Sequence, residues 1–329
     1  MRKVTIQSST DIALVKYWGK KDEILRLPEN GSVSMVLSGT DTVTTVEFQP
    51  NLNEDEITIE GKKLRNSDAE AARVVKHLDR IRALADVNTY AKVVSKNTFP
   101  KGTGLSSSGS GMSALTFAAT KAIGLEMTER ELSILSRQAS GTACRSSCGG
   151  FVEWKDGDTS ETSYSETIFP ASHWDLRSVV AVVDEGMKKI SSTEGHTTAQ
   201  SSKFFAVRQK EIAQKIQDVK KALAEKNFPV LGDLIEKECL EFHSILLTSH
   251  PPLITWYPGT LQVMHAVQAL REDGIEAYFT INTGFNVHVI TLPEFQDEVE
   301  KRLGSLSLVQ KTLRAKVGEG PREITEHLF

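Results

Sequence analysis

The most restrictive feature of the sequence is a run rich in glycine and serine, PKGTGLSSSGSG at Pro100–Gly111. A predicted strand, TYAKVVS, precedes it, and a small, apolar helix predicted over Met112–Ile123 follows it. Glycine lets the backbone approach a ligand closely, and the N–H groups and dipole at the start of a helix attract anions. The run therefore favours a phosphate-binding turn, although a flexible turn before a packed helix has the same composition.

The run does not match the two best-known phosphate-loop patterns. Gly104 and Gly109 have the Walker spacing, but Ser110 stands where that pattern needs a lysine. Gly102 and Gly104 begin a dinucleotide fingerprint, but Ser107 occupies the place of its third glycine. A serine hydrolase is not indicated either, because the GxSxG elbow is missing. Composition alone thus supports an anion site and names no reaction.

Short runs of β-branched residues between polar turns predict strands, most of them early in the chain. The predicted strands are VTIQSS, SVSMVLSG, TVTTVEFQ, EITIEG, TYAKVVS, FVEW, SVVAVVD, AYFTI and NVHVI. Apolar residues three and four positions apart predict helices. The predicted helices are Asp68–Ala85, Met112–Ile123, a capping-box helix from Thr128 to Ala139, Ala199–Glu225, Val230–Leu247, Pro258–Gly274 and Pro293–Leu303. This order indicates an α+β chain of two lobes, 1–187 and 188–329.

The charge balance argues against a nucleic-acid binder, because 39 Lys and Arg residues face 43 Asp and Glu residues, a net charge of −4. No apolar run approaches the roughly 20 residues that cross a bilayer. Asp11 and Lys16 interrupt the apolar start, unlike a signal peptide. The three cysteines, Cys144, Cys148 and Cys239, are too few and odd in number for a disulfide framework. We therefore expect a cytoplasmic protein that binds neither nucleic acid nor membrane.

Three further segments occur in order around the glycine-serine run: DIALVKYWGK at Asp11–Lys20, SGTACRSSCGGFVEW at Ser140–Trp154 and FTINTGFN at Phe279–Asn286. Together with that run they closely resemble the diphosphomevalonate and phosphomevalonate decarboxylases of the GHMP kinase superfamily. The resemblance covers nearly the whole chain, and KYWGK and ACRS are specific to the decarboxylase branch. It implies an N-terminal α+β lobe, a ferredoxin-like C-terminal lobe and an active site in the cleft between them.

The resemblance also implies the reaction. ATP phosphorylates the tertiary 3-hydroxyl of a mevalonate phosphate, and the new phosphate then leaves together with carbon dioxide to give an alkene. Positioning and charge stabilisation account for most catalysis of this kind. Mg²⁺ with ATP and a homodimer are implied as well. Two other classes stay open: a kinase that stops at the 3-phosphate and a non-catalytic metabolite sensor.

Individual residues match positions with known roles in the family. Lys16 matches a lysine near the reacting hydroxyl, and Arg145, whose planar fork suits a carboxylate, matches the arginine that holds the departing acid. Tyr17, Lys20 and Ser140 match substrate-phosphate positions. The residues that match the ATP and Mg²⁺ side are Ser95, Asn97, Gly104, Ser106, Ser107, Ser108, Ser191 and Ser192, with Ser107 as metal ligand. The structural alternatives are an ion pair for Arg145 and a helix cap for Ser191 and Ser192.

Asn282 stands where the family has an aspartate beside the 3-hydroxyl. An amide keeps the shape and the hydrogen bonds, but it cannot take a proton near neutral pH. Two explanations stay open: the chain is impaired by an aspartate-to-asparagine exchange, or Lys16 suffices for turnover. We favour an exchange introduced to trap a complex, and we expect Asn282→Asp to raise turnover at least about tenfold.

Thr193 and His196 stand where diphosphate enzymes of the family carry an arginine and usually a methionine beside the second phosphate. A phosphate needs charge-assisted donors to leave water, so the loss of a fixed cation favours a substrate with one phosphate. We therefore expect mevalonate 5-phosphate as substrate and isopentenyl phosphate as product, with the diphosphate as the alternative. Arg73, Lys76 or Lys188 could supply the missing charge.

Overall fold

The computed structural model describes residues 2–99, 106–186 and 192–329. Its strands are β1 (Val4–Val15), β2 (Lys20–Asp22), β3 (Leu27–Pro28), β4 (Ser32–Phe48), β5 (Glu56–Ile59), β6 (Lys62–Leu64), β7 (Ala91–Asn97), β8 (Phe151–Trp154), β9 (Ser165–Phe169), β10 (Arg177–Val182), β11 (Ala277–Thr280), β12 (Val287–Thr291), β13 (Lys311–Val317) and β14 (Arg322–Ile324). Its α-helices are α1 (Ala69–Ala85), α2 (Ser107–Ile123), α3 (Glu129–Ala139), α4 (Ser192–Thr197), α5 (Phe205–Glu225), α6 (Phe228–Thr248), α7 (Pro258–Glu272) and α8 (Gln296–Gly304). Short 3-10 helices lie at Gly141–Ser147, Ala171–His173, Ala199–Ser201 and Pro293–Phe295. The predicted α+β class is confirmed.

One sheet links both halves of the described chain. Its main path runs β11-β12-β10-β13-β4-β7-β5-β6, and β1, β8, β9 and β14 pair beside that path. The long strand β4 is central because it pairs with β1 over most of its length and also with β7, β8 and β13. β13 pairs with β10 on its other side, so it joins the C-terminal strands to the N-terminal ones. β10 lies before residue 188, yet it pairs with β12 and β13, which lie after that residue. The division into 1–187 and 188–329 therefore stays a prediction.

Three large apolar cores hold the helices on the strands. The first packs α1, α2 and α3 against β1, β4 and β7, and α2 faces it with small side chains such as Ala114 and Ala118, which let the helix approach closely. The second packs α7 and α8 against β10, β11 and β12. The third joins β1 and β4 to α5 and α6 through Ile12, Leu14 and Ile216. Each fully buried aliphatic side chain contributes about 1.5–3 kcal/mol, so this core fixes the end of β1 against helices from far along the chain.

Several helix boundaries differ from the prediction. The helix predicted from Ala199 starts at Phe205, after a 3-10 turn. The predicted break before α6 is in fact its first turn, because the Asn227 side chain accepts from the Val230 N–H as a cap. Pro229 is tolerated there because the first turn needs no N–H donor. α2 likewise begins earlier than predicted, at the start of the serine run.

The strand pattern was predicted less well than the helices. The two predicted strands SVSMVLSG and TVTTVEFQ are one continuous strand, β4. Gly39 lies in its middle at a φ of 102°, and a Cβ there would come within 2.9 Å of the Arg314 carbonyl oxygen of β13. Glycine is therefore needed for this close approach. β2, β3, β6, β9, β13 and β14 were not predicted. No described helix combines the length and the apolar composition that crossing a membrane requires.

Candidate active site

Lys16 directly follows β1, and its side chain crosses to the C-terminal half of the chain. The ammonium donates to the Ala13 carbonyl oxygen at 2.7 Å and to Thr280 Oγ1, at the end of β11, also at 2.7 Å. Its Nζ lies 3.4 Å from Asn282 Oδ1, on the loop that leads to β12. Lys16 is 2% exposed, and burial lowers the pKa of its ammonium to about 8.

Asn282 connects Lys16 to the start of α2. Its Nδ2 donates to Ser106 Oγ at 3.2 Å. Ser106 precedes α2 and has a left-handed backbone, with φ at 60°. A residue other than glycine adopts this conformation at some cost, and such positions cluster at functional sites. Three predicted site residues, Lys16, Asn282 and Ser106, thus form one chain of contacts.

Arg145 lies on the 3-10 helix that follows Ser140. The Ser140 hydroxyl is 3.2 Å from that of Ser108, in the first turn of α2. Arg145 is 3% exposed; its Nη1 donates to Ser32 Oγ at 3.1 Å, and its Nε lies 2.8 Å from Asp11 Oδ2. This Nε–H does not point at the carboxylate as a hydrogen bond would, so the Asp11 contact is an ion pair. The structural ion pair that was the alternative for Arg145 is therefore present. The Arg145 charge also acts on Lys16: burial is the main cause of the lowered Lys16 pKa, and the Arg145 charge lowers it further.

His196 packs against both aromatic residues that follow Lys16. Its ring centroid lies 4.3 Å from that of Tyr17 and 4.2 Å from that of Trp18. Its Nδ1 accepts a hydrogen bond from the Gly19 N–H at 3.0 Å. A nitrogen that accepts carries no proton, so the ring is neutral in this geometry. Through His196, α4 is attached to the segment that carries Lys16.

Tyr17 also reaches the segment around Ser140. A Cβ on Gly141 would lie 3.2 Å from the Tyr17 hydroxyl, so glycine permits this contact. The Lys20 side chain is nearly buried, and its ammonium pairs with Glu23 Oε2 at 2.7 Å. The structure thus joins Tyr17 to the Ser140 segment, whereas the described contact of the Lys20 ammonium is with an acidic side chain.

The charge of Arg26 acts on two other arginines, Arg73 and Arg80, and on Tyr17. Desolvation is the main cause that lowers the pKa of both Arg73 and Arg80, and the Arg26 charge is the second cause. Arg73 is nevertheless exposed to solvent. The Arg26 charge also opposes the burial that raises the pKa of Tyr17. A positively charged region therefore begins beside Tyr17. Lys188, another suggested source of charge, lies outside the described residues.

Ser95 and Asn97 lie in β7 and bond to the neighbouring strand β4. Ser95 Oγ is 2.9 Å from Thr44 Oγ1, and Asn97 Oδ1 accepts from Thr42 Oγ1 at 2.7 Å. Thr42 also contacts Ser110 Oγ at 2.7 Å, so Asn97 reaches α2 through one intermediate. The predicted site residues outside the described part are Gly104, Ser191 and the side chains of Ser192 and Thr193.

Comparison with known proteins decides the family. Residues 8–165 match the model of the diphosphomevalonate decarboxylase-like N-terminal domain, and residues 178–319 match that of the mevalonate 5-diphosphate decarboxylase C-terminal domain. The chain belongs to the diphosphomevalonate decarboxylase family. The predicted family and the enzyme class, an ATP-dependent carboxy-lyase, are confirmed.

Similar proteins span nearly the full length of this decarboxylase. The diphosphomevalonate decarboxylase of Candida albicans is 31% identical over 360 residues, covering 100% of this chain and 99% of that protein. The phosphomevalonate decarboxylase of Haloferax volcanii is 33% identical over 300 residues, covering 91% of each chain. A solved structure described as MDDEF in complex with MVAPP, AMPPCP and magnesium superposes with a TM-score of 0.91 at 35% identity, over 98% of each chain. The predicted GHMP-kinase-like fold is therefore confirmed.

Some residues that contact the predicted site residues were not themselves predicted. Asp11 and Thr280 contact Arg145 and Lys16, and both belong to the segments that carry the family resemblance, so their presence there was an available signal. Ser32 contacts Arg145 but is one of three serines in β4, and nothing in its local sequence distinguishes it from the other two. The side chains that hold the main chain of Lys16 were missed as well.

Proposed function

We propose that this decarboxylase converts mevalonate 5-phosphate and ATP into isopentenyl phosphate, ADP, phosphate and carbon dioxide. The observation that carries the choice of the monophosphate is His196, stacked on Tyr17 and Trp18 with Nδ1 accepting from Gly19. A neutral ring in that position supplies no fixed charge for a second phosphate. The Haloferax volcanii relative, named a phosphomevalonate decarboxylase, supports this choice, while the Candida albicans relative represents the alternative.

The contacts around Lys16 support its role at the 3-hydroxyl. An ammonium whose pKa is about 8 is mostly protonated at pH 7, so Lys16 acts as a cation that neutralises charge during phosphoryl transfer. Asn282 orients the hydroxyl through its amide but takes no proton. Arg145 binds the substrate carboxylate, while the ion pair with Asp11 and the hydrogen bond to Ser32 hold its guanidinium in place.

The substrate phosphate is assigned to Tyr17, Lys20 and Ser140, with Thr193 and His196 at its outer end. The Tyr17 contact with Gly141 supports this assignment because it places the phenol beside Ser140. A phosphate bound to Lys20 has to displace Glu23, which is half exposed and free to move to solvent. The positive charge that begins at Arg26 favours such an anion.

ATP and Mg²⁺ are assigned to the start of α2. The described residues contain no group of three or more acidic, histidine or cysteine side chains that could hold a metal alone. Mg²⁺ that accompanies ATP is bound largely by phosphate oxygens and water, so the Ser107 hydroxyl fits as a protein ligand. Bound there, Mg²⁺ would neutralise charge on the phosphates. The nucleotide contacts that accompany it are Ser95, Asn97, Gly104, Ser106, Ser108, Ser191 and Ser192. The AMPPCP and magnesium in the MDDEF complex support both ligands.

The substrate proposal is tested by exchanging both unusual positions, Thr193→Arg with His196→Met. A charge-assisted hydrogen bond contributes about 1.5–3 kcal/mol, so the kcat/KM ratio of monophosphate to diphosphate should fall about 10- to 100-fold. ADP and carbon dioxide are measured together on both substrates. His265→Met, at an exposed position, is the control and should leave the ratio unchanged.

Faster turnover of the diphosphate by the parent chain would contradict the proposal. ADP release without carbon dioxide would instead favour the 3-kinase. ATP binding with no ADP release, even after aspartate is restored at 282, would favour the metabolite sensor.

We also propose a homodimer located in the cytoplasm. Apolar side chains on α5 and α6 support an interface, since Val207 is 55% exposed and Leu240 is 42% exposed. The three cysteines are free, which suits a reducing compartment. Light scattering that gives a monomer mass at micromolar concentration would contradict the dimer.

A further inference from the structure

Both main-chain polar groups of Lys16 are held by side chains from elsewhere in the chain. The Lys16 N–H donates to Glu238 Oε1 at 2.9 Å. The Lys16 carbonyl oxygen accepts from Arg208 Nη2 at 2.8 Å and from Asn30 Nδ2 at 2.9 Å. Arg208 lies on α5 and Glu238 on α6, so helices of the C-terminal half fix the peptide groups on both sides of Lys16.

These three residues, Asn30, Arg208 and Glu238, form a closed network that we call the Lys16 clamp. Arg208 and Glu238 form an ion pair, and Arg208 Nη1 donates to Asn30 Oδ1 at 3.3 Å. Arg208 is 3% exposed and Glu238 is 2% exposed. Burying two charges is unfavourable, and apolar residues of similar volume are often at least as stabilising as a buried ion pair. The clamp therefore contributes orientation more than stability.

The Lys16 ammonium itself has no carboxylate within 4.0 Å among the described residues. The titratable groups that surround it are Asp11, Arg145, Glu238, Cys239, His243 and His288. Burial raises the pKa of Cys239 to about 11 and lowers those of His243 and His288 to about 3, so these three are neutral at pH 7. Glu238 and Asp11 are thus the charges that favour the ammonium, and Arg145 opposes it.

We propose that Arg208 and Glu238 are positioning residues for catalysis, which fix Lys16 at the reacting hydroxyl without touching the substrate. This inference rests on the role proposed for Lys16. The side chain of a lysine starts from its own peptide groups, and the clamp holds both of them. A displacement of about 1 Å at a reacting group can cost on the order of 100-fold in rate. The packing of α5 and α6 on β1 is thereby coupled to the chemistry.

The central test is Glu238→Gln, which keeps an oxygen for the Lys16 N–H but removes the charge and the ion pair. We expect kcat to fall at least about tenfold, while the KM values for ATP and for the phosphate substrate change less than about threefold. The alkaline limb of the pH–rate profile should move to lower pH, because a lost negative charge makes the ammonium easier to deprotonate.

The chain offers a matched control in Asp55→Asn. Asp55 forms a similar buried pair with Arg82 and accepts the Ala91 N–H at 2.8 Å, as Glu238 accepts that of Lys16, but no predicted site residue belongs to this network. The control should lower Tm and leave both kcat and the pH profile unchanged. If Glu238→Gln behaves in the same way as this control, the proposal is overturned.

Lys16→Met separates this inference from the proposed function. Full turnover by Lys16→Met would contradict the role proposed for Lys16 and therefore also the positioning role proposed for the clamp. Lost turnover in Lys16→Met combined with normal kcat in Glu238→Gln would overturn the clamp alone. In the Lys16→Met background, Glu238→Gln should cause no further loss of the residual rate, and an additive loss would contradict action through Lys16.

Arg208→Lys is the alternative test if thermal unfolding shows that the Glu238→Gln variant is not folded. It keeps the charge but loses the planar fork that reaches both Lys16 and Asn30. The same drop in kcat at nearly constant KM is expected. A kcat within about twofold of the parent would refute the proposal.

Discussion

Replacing Asn282 by aspartate tests the proposed chemistry at a single atom. The Asn282 Oδ1 lies 3.4 Å from Lys16 Nζ, and its Nδ2 donates to Ser106 Oγ at 3.2 Å. Aspartate has nearly the same shape, so both contacts can be kept if the serine hydroxyl turns to donate instead of accepting. The exchange therefore adds a base next to the proposed position of the 3-hydroxyl with little change in geometry.

The expected gain follows from two opposing effects. A general base contributes roughly 10²- to 10⁴-fold to a rate. The Lys16 ammonium opposes part of this gain, since two unit charges at that separation attract by about 5 kcal/mol at an effective dielectric constant of about 20. This attraction makes the new carboxylate a weaker base. We therefore expect kcat to rise at least about tenfold, toward the lower end of the range.

The assay follows ADP and carbon dioxide release on both phosphates from about pH 6 to pH 10. The parent should lose activity above about pH 8, where Lys16 loses its proton. Asn282→Asp should stay active at higher pH, because a nearby carboxylate favours the ammonium. Asn51→Asp, at an exposed turn, adds the same charge elsewhere and serves as control. Unchanged kcat and an unchanged pH profile in Asn282→Asp would refute the placement of residue 282 at the hydroxyl.

Two further predictions concern the cations of the site. Arg145→Lys keeps the charge but loses the planar fork, so kcat/KM for carbon dioxide release should fall about 100-fold; a loss below about threefold would contradict its role as carboxylate ligand. Lys16→Met removes an ammonium whose pKa in the folded protein, about 8, lies below its ordinary value of 10.5. The folded state disfavours the charged form, so Lys16 costs about 3 kcal/mol of stability below its folded pKa, and this cost disappears as the pH rises toward 10.5. Urea unfolding should show the parent gaining about 3 kcal/mol relative to Lys16→Met over that interval, and a constant difference would refute the depressed pKa.

Helices whose signals lie within a few residues were predicted well from the sequence. The capping box of Thr128 and Glu131 is present, and α3 ends at Ala139 as predicted. The order of Pro258 and Gly274 likewise brackets α7. Such signals are local, since a cap and the turn that it closes are neighbours in sequence.

The strand that joins the two halves of the sheet had no such signal. β13 is only partly buried, and charged side chains such as Lys311, Arg314 and Lys316 alternate with its few apolar ones. It becomes a strand because β10 and β4 offer hydrogen-bonding edges on its two sides. Those partners come from distant parts of the chain, so local pattern could not show the pairing.

The residues of the candidate site were likewise predicted only in part from the sequence. The segments that carry the family resemblance contain Lys16, Arg145 and Asn282, and the structure places Lys16 and Asn282 in direct contact. Arg208 and Glu238 were not predicted because each is a single charge on an amphipathic helix, where charges usually face solvent. Their burial follows only from the packing of α5 and α6 against the end of β1.

With asparagine at position 282, the contact chain of Lys16, Asn282 and Ser106 contains no group that takes a proton at neutral pH. Lys16 is mostly protonated, because its pKa is about 8, and neither an amide nor a serine hydroxyl accepts a proton there. In the proposed site, such a set of cations and dipoles would attract the anionic groups of the substrate and ATP, but it would provide no base for the 3-hydroxyl proton. We therefore expect this protein to bind its substrates more effectively than it turns them over. For the same reason, a carboxylate at position 282 should change kcat more than KM.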